Sequence, residues 1–294
     1  MICHIAGVDL EIRIAWDKRA INMSVIKKLG QTRIGGKLLG GMVANRVNKE
    51  ATTIAEHFDK FLSPVIAKTE SDRQRVFEIR HQVYCEELKF EPPRPDRLEL
   101  DDFDLYSAHC LIRHNPTDRF AGCVRVVCPS NEGELLPIQK YCAHAYQENP
   151  LKPESFARGK ICEISRLAVL AEFRRRKSDK YRGAETGVIN EITYSEQELR
   201  CFPFISIGLY LAAAGLALEK GIEHAFVMME PRLARSMALI GIQFEQIGPA
   251  IEYHGQRAPY YINQEIFLTS LKPGFKALEV GIQRSILEQL KEPD

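Results

Sequence analysis

The sequence predicts an α/β (α+β) fold, a mixed sheet flanked by helices. Three observations carry this. Two strand-like runs separated by a short turn open the regular part of the chain. Segments with helical and strand spacing then alternate through its last third. Hydrophobic residues make up 45% and charged residues 27%, the mix of a chain with a real core. Strands first, then helix-strand-helix-strand, argues for a layered domain in which helices cover a sheet.

The elements follow in order. Residues 1–51 read as a basic N-terminal extension, flexible or weakly helical. The first 50 residues hold nine lysines and arginines against four acidic residues, and Leu29 to Gly41 is rich in glycine. The alternative role for this stretch is contact with an anionic surface or an acidic partner. Residues 52–294 form the folded domain. A helix is expected over Thr52 to Phe61. Ser71 with Gln74 then reads as a capping box. Behind it Val76, Phe77, Ile79, Val83, Tyr84 and Leu88 recur at helical spacing. Glu91 to Asp96 is a proline-rich loop. Ser107 to Arg113 and Phe120 to Cys128 read as an antiparallel hairpin around Asn115-Pro116. An irregular, partly helical stretch covers Pro129 to Lys160, and a strand covers Ile161 to Val169. Glu172 to Arg200 is polar and basic. A helix over Ser206 to Lys220 ends at Gly221, a C′ glycine. A strand covers His224 to Met229, and Pro231 opens a helix that ends at Gly241. Strands at Gln243 to Ile247 and Gln264 to Thr269 and a final helix over Lys272 to Leu290 complete the reading.

Composition excludes several classes. A formal net charge of +1 gives no global pull toward nucleic acid. No apolar run is long enough to span a bilayer, so membrane contact is at most peripheral. Met1 to Asp17 interleaves charge with apolar residues, unlike a secretory signal. The eight cysteines are scattered without a CxxC pair; Cys110, Cys123, Cys128 and Cys162 lie in apolar runs, where the thiol acts as a small hydrophobe. A reducing cytoplasm fits best. Cys142-x-His144 has no second pair at ligand spacing, so no metal is expected.

Four polar features call for a use. Arg80 shares a helical face with Phe77 and Tyr84; the bland alternative is an edge arginine with its head in water. The run Glu99-Leu100-Asp101-Asp102-Phe103-Asp104 crowds carboxylates that repel unless solvated or paired. It is either a helix cap or turn, or a cluster that binds an amine or steadies the arginines. Arg125 shares a strand face with Ala121, Cys123 and Val127. Among small apolar residues it needs a carboxylate partner, unless it is an edge arginine pointing to water. Glu163 and Ser165 share one face of their strand while Arg166 points to the other. Glu163 and Arg166 converge only across a bulge or twist. A plain ion pair is the alternative to a general base of raised pKa.

These residues carry a resemblance. Ile79-Arg80-His81-Gln82-Val83-Tyr84, then Glu99-x-Asp101-x-Phe103-Asp104, Gly122-Cys123-Val124-Arg125 and Glu163-Ile164-Ser165-Arg166 resemble, in order and spacing, the four motifs of autoinducer (acyl-homoserine lactone) synthases and long-chain N-acyl amino acid synthases. Gly255-x-Arg257-x-Pro259 also looks like this group. The nearest likeness is to acyltransferases of PEP-CTERM/exosortase systems, over about Phe61 to Ser270. The resemblance implies a GNAT-like, mostly antiparallel sheet over residues 52–294. It also implies transfer of a fatty acyl group from a thioester, usually on acyl carrier protein, to an amine. Carried over, Glu163 is the base, and Arg80, Asp101, Asp104, Arg125, Ser165 and Arg166 surround acceptor and thioester. Backbone N–H groups near Leu167 to Val169 would hold the oxyanion. No cofactor is tightly bound; acyl carrier protein or coenzyme A brings the acyl group, and the acceptor is a small amine or amino acid.

One departure bears on the donor. Common coenzyme A-dependent relatives carry a glycine loop after this strand, whose backbone N–H groups cradle the pyrophosphate. Here Glu172 to Lys180 has no such glycines. Arg174, Arg175 and Arg176 instead suit the acidic surface of a carrier protein; the alternative is a solvated basic loop. Cys162 faces away from Glu163 and is a poor nucleophile candidate. Ile207 to Leu218 is either plain core or the lining of an acyl tunnel. A lactone synthase using S-adenosylmethionine, a coenzyme A acetyltransferase and a non-catalytic acyl-binding protein are the rival readings.

Overall fold

The structure, a computed structural model, describes residues 54–174, 198 and 201–292. Residues 1–51, Arg175, Arg176 and most of the basic stretch lie outside the described residues.

A helix, α1 (54–61), leads into strand β1 (Leu62–Ile66). Helix α2 (Glu70–Arg80) follows and continues as a wider π-helical turn over His81–Glu87, closed by Leu88 N–H on the Val83 carbonyl. The hairpin is β2 (Ser107–His114) and β3 (Arg119–Val127), and a short helix α3 (Pro137–Cys142) lies within the irregular stretch. Then come β4 (Ile161–Val169), α4 (Ala171–Arg174), α5 (Pro203–Glu219), β5 (His224–Met229) and α6 (Pro231–Ile240). The chain ends with β6 (Glu245–Gln246), β7 (Ile251–Glu252), β8 (Gln256–Asn263), α7 (Gln264–Ser270) and α8 (Pro273–Lys291).

The strands form one open sheet in the order β1-β2-β3-β4-β5-β8-β6, with β7 paired to β8. Every pair is antiparallel except β4–β5. This is the GNAT-like mixed architecture that the sequence predicts. Helix α2 covers one face, where the Cys123 thiol points to the Val76 carbonyl, and α5 covers the other, where the Cys110 thiol points to Ala212. All nine residues of β4 are buried. A strand covered on both faces reads as a near-continuous apolar run, so the polar groups within β4 stand out.

Four boundaries differ from expectation. The capping box of α2 is Thr69 with Asp72, not Ser71 with Gln74. Thr69 Oγ1 accepts from the Asp72 N–H at 3.1 Å, and Asp72 takes the Thr69 N–H at 3.3 Å. Gln264 to Thr269 is helix α7, not a strand, because the Asn263 side chain accepts the Ile266 N–H at 2.8 Å and caps it. Its apolar residues belong to a helical face. The last full strand is instead β8, a stretch the sequence reading left unassigned. Pro259 offers no N–H to the ladder, but its carbonyl takes the Ile247 N–H at 3.0 Å. In Gln243 to Ile247 only Glu245 and Gln246 pair. β1, which contains Pro64, also escaped the sequence reading. As an edge strand it tolerates proline, and helix α8 closes its outer side. Gln289 accepts the Ile66 N–H at 2.8 Å and donates to the Pro64 carbonyl at 2.9 Å.

The hairpin carries a tight fit. A Cβ on Gly122 would lie 2.5 Å from the Ala168 carbonyl oxygen and 3.2 Å from Leu209 Cδ1. Backbone on one side and core on the other leave it no room. Gly122→Ala is therefore expected to destabilise the protein by about 1–3 kcal/mol, read by thermal unfolding. An unchanged midpoint would show that β3 and β4 can part at this point.

Candidate functional site

The β3–β4 ladder slips by one residue between Cys123 and Arg125: Cys123 pairs with Ala168, but Arg125 pairs with Ser165. The extra residue lies in β4, and Arg166 takes φ +50°, a left-handed conformation uncommon for a branched polar chain. A bulge is the condition for Glu163 and Arg166 to converge; it is present, and it turns Arg166 toward Glu91, Glu99 and Asp101 rather than toward Glu163. On the other side, β4 and β5 pair only through Ile161, Cys162 and Glu163. Beyond Glu163 the two strands part.

Around the bulge lies a buried network of alternating charge. Arg80 donates from Nε to Glu99 at 2.5 Å and from both Nη atoms to Asp104 at 2.7 and 3.0 Å. Arg125 donates to Asp101 at 2.6 Å, to Asp104 at 3.1 Å and to Ser165 Oγ at 3.1 Å. Arg166 Nη2 lies 2.9 Å from Glu91, 2.8 Å from Glu99 and 3.5 Å from Asp101. Each guanidinium also lies over a ring: Arg80 over Phe77, Arg125 over Phe103 and Arg166 over Tyr84, at 5.4, 5.7 and 5.5 Å. Arg80 and Arg125 are wholly buried. The solvated-head alternative for Arg80 and the edge alternative for Arg125 are thus both overturned: a buried guanidinium needs carboxylates, and the acidic run supplies them.

That run plays both roles weighed for it. Asp101 caps a 3₁₀ turn (Asp102–Tyr106) by accepting the Phe103 N–H, and with the same oxygen takes Arg125. Asp104 also accepts the Asp101 N–H at 2.8 Å and meets His109 Nε2 at 3.0 Å. Burial alone would raise Asp104, but Arg80, His109 and Arg125 outweigh it and hold the carboxyl far below the usual range. Burial keeps His109 below its ordinary value, so it meets Asp104 as a neutral donor. Burial draws Arg166 down to about 10, still cationic at neutral pH.

Glu163 stands apart. It has no ion-pair partner among the described residues, so the plain Glu163–Arg166 pair is not what the structure contains. One carboxyl oxygen accepts the Ile138 N–H at 2.6 Å; the other is buried without a hydrogen-bond partner among the described residues. Burial pushes the carboxyl up to about 8, against the pull of the Ile138 N–H and Arg125. Two Arg166 nitrogens, Nε and Nη1, and Arg125 Nη2 are likewise buried and unmatched. Unmatched buried polar groups are rare in folded proteins and mark places where a ligand or water completes the set.

Of the remaining expected residues, Leu167 and Val169 are buried on β4, and the Leu167 carbonyl takes the Tyr84 hydroxyl at 2.6 Å. Arg174 ends α4 in an ion pair with Glu87, so its charge is partly spent. Cys162 is fully buried and burial drives its thiol far up, which excludes a resting thiolate. Residues Ile207 to Leu218 of α5 belong to the main apolar core. Sequence reasoning left out Glu91, Glu99 as a ligand of two arginines, His109 and the Ile138 N–H. The last carries no sequence signal, since every residue but proline has a backbone donor.

Residues 79–183, the stretch that holds the buried network, match the family model described as acetyltransferase (GNAT) domain. No curated protein matches the sequence. Among solved structures, TofI in a ternary complex with an inhibitor and MTA is 15% identical, covers 74% of this chain and 99% of that one, and has a TM-score of 0.51. The AHL synthase LasI is 15% identical, with 71% and 96% covered and a TM-score of 0.48. FeeM, an N-acyl amino acid synthase from uncultured soil microbes, is 13% identical, with 71% and 94% covered and a TM-score of 0.46.

Proposed function

We propose that this chain moves a fatty acyl group from a thioester to the amine of an amino acid, giving an N-acyl amino acid. The observation that carries the reading is Glu163: buried, titrating near 8, with one oxygen lacking a hydrogen-bond partner among the described residues, beside the place where β4 and β5 part. An isolated buried carboxyl is costly in a purely structural role. A base poised near the working pH is what amine deprotonation needs.

In this reading the thioester enters where β4 and β5 diverge. The acceptor ammonium gives a proton to the ionised Glu163 carboxylate, the form that grows as pH nears 8, and the free amine attacks the thioester carbonyl. The tetrahedral oxyanion is held by backbone N–H groups of the Leu167 to Val169 stretch. Collapse breaks the C–S bond, and the second amine proton passes to the departing sulfur, which leaves as the thiol. No covalent enzyme intermediate is involved. Arg80, Asp101, Asp104, Arg125, Ser165 and Arg166 fix the acceptor, and the unmatched N–H groups of Arg125 and Arg166 suit its carboxylate. The donor is acyl carrier protein rather than coenzyme A, since the segment after β4 lacks the glycines of a pyrophosphate cradle, and the basic run Arg174, Arg175 and Arg176 suits an acidic carrier. In this reading the reaction runs in the cytoplasm, and the motif resemblance supports a kinship with acyltransferases of PEP-CTERM/exosortase systems.

The test is an assay of the purified protein with long-chain acyl carrier protein or acyl-CoA and a panel of amino acids, read by mass spectrometry. An N-acyl amino acid formed faster from the carrier protein is the expected product. A homoserine lactone formed with S-adenosylmethionine, or turnover of acetyl-CoA alone, would overturn the reading.

A further inference from the structure

We propose that Tyr146 is a second working residue of this site, a relay that carries the Glu163 proton outward to Glu154 at the surface. The inference rests on Glu163 acting as the base.

Tyr146 follows α3 and the short turn Ala143–Ala145. It is 3% exposed and belongs to the apolar cluster that holds Ile138, Cys142 and Phe226. Ile138 gives its N–H to Glu163 and Phe226 is the β5 partner of Glu163, so this cluster encloses the carboxyl. The Tyr146 hydroxyl oxygen is buried and has no hydrogen-bond partner among the described residues, as is true of Glu163 Oε1. Buried tyrosine hydroxyls ordinarily find a partner. Here two groups of complementary capacity, one carboxyl and one phenol, are both left unmatched within one apolar cluster.

The outward end of the path is also in place. Glu154 is exposed and accepts from Gln139 Nε2 at 2.6 Å. Gln139 adjoins Ile138 on α3, so one turn of helix touches Glu163 on its inner side and Glu154 on its outer side. Glu154 and Glu163 are the two carboxyls whose charge Tyr146 feels most. Burial raises the phenol, so it stays neutral and works only by giving and taking a proton together.

The balance closes. An acceptor that arrives as an ammonium and leaves as an amide, with the thiol departing protonated, releases one proton per turnover. Because the Ile138 N–H occupies Oε2, the proton rides on Glu163 Oε1. That O–H bond breaks as Tyr146 Oη accepts, directly or through one water molecule. The phenol's own O–H bond breaks as its proton passes to the Glu154 carboxylate and then to solvent. Tyr146 is the same before and after.

Tyr146→Phe separates this role from a structural one. Removing a hydroxyl that bonds to nothing leaves a structural tyrosine with an unchanged or raised Tm and an unchanged rate. The relay predicts the same Tm together with kcat lowered roughly tenfold, while both KM values stay within about twofold. It also predicts that the infrared band of the protonated Glu163 carboxyl, identified by its loss in Glu163→Gln, shifts in Tyr146→Phe. Full kcat in Tyr146→Phe beside an inactive Glu163→Gln overturns the relay alone. An active Glu163→Gln overturns both the relay and the base. A lost rate accompanied by a lowered Tm and an unmoved band assigns Tyr146 to packing and overturns the proposal.

Discussion

Glu163→Gln is expected to lower kcat by about 10²–10⁴-fold, the usual worth of a positioned base, while the protein stays folded. The wild-type rate should rise with pH and level off above about 8, where the carboxyl ionises; the variant's residual rate should lose this limb. The same shift has a stability counterpart of definite sign. The folded carboxyl titrates near 8 and the unfolded one near 4.5. Between these values the folded state holds the extra proton, so stability falls as pH rises through this window. The limit is on the order of 4 kcal/mol, from 1.36 kcal/mol per pKa unit. Glutamine has no proton to lose. The variant should therefore gain on the wild type as pH rises from 5 to 9, and urea unfolding at several pH values would show it. A constant difference between the two across that range would mean that Glu163 is not held neutral.

Arg80→Met is expected to cost about 3–5 kcal/mol at neutral pH, because it leaves charged partners buried without their cation. Arg80 holds Glu99 at 2.5 Å and Asp104 at 2.7 Å, all three nearly or wholly inaccessible to solvent. The sign of the pH dependence is opposite to that of Glu163. Asp104 is depressed in the folded state, so its contribution is present above its ordinary 3.8 and lost as pH falls through the folded value. Without Arg80 that depression relaxes, and the gap between variant and wild type should narrow toward acid as the stranded carboxyls take protons. Arg80→Lys keeps the charge but not the fork that reaches two carboxylates at once, and should fall between. Full stability of Arg80→Met at pH 7 would show that water reaches Asp104 and that the network is not sealed.

Much of the fold was legible because the informative segments are regular. β4 and β5 read at their observed limits. The elements that escaped or were misplaced are those with a proline inside a strand, Pro64 and Pro259, or with apolar residues at a spacing shared by strand and helix, as in α7. Tertiary position decides: an edge makes Pro64 harmless, β8 holds Pro259 between β5 and the short β6, and a capping Asn263 turns an ambiguous run into a helix. The site was legible as residue types and not as geometry. Arg80, Asp101, Asp104, Arg125 and Arg166 stood out because charge in apolar surroundings needs a reason. Which carboxylate meets which arginine depends on one extra residue in β4, and the sequence around Arg166 holds no glycine or other sign that the strand bulges there. Arg175 and Arg176 lie outside the described residues.

The clasp of Gln289 on Pro64 and Ile66 bears on how the molecule behaves in a crowd. An exposed strand margin is a template for another chain, and proteins usually blunt it with charge. Here a side-chain amide at the far end of α8 stands in for the missing neighbour strand, matching one donor and one acceptor as a peptide group would. Solubility at this margin thus depends on the last turns of the final helix being folded against the first strand, so the two ends of the described domain guard each other against self-association.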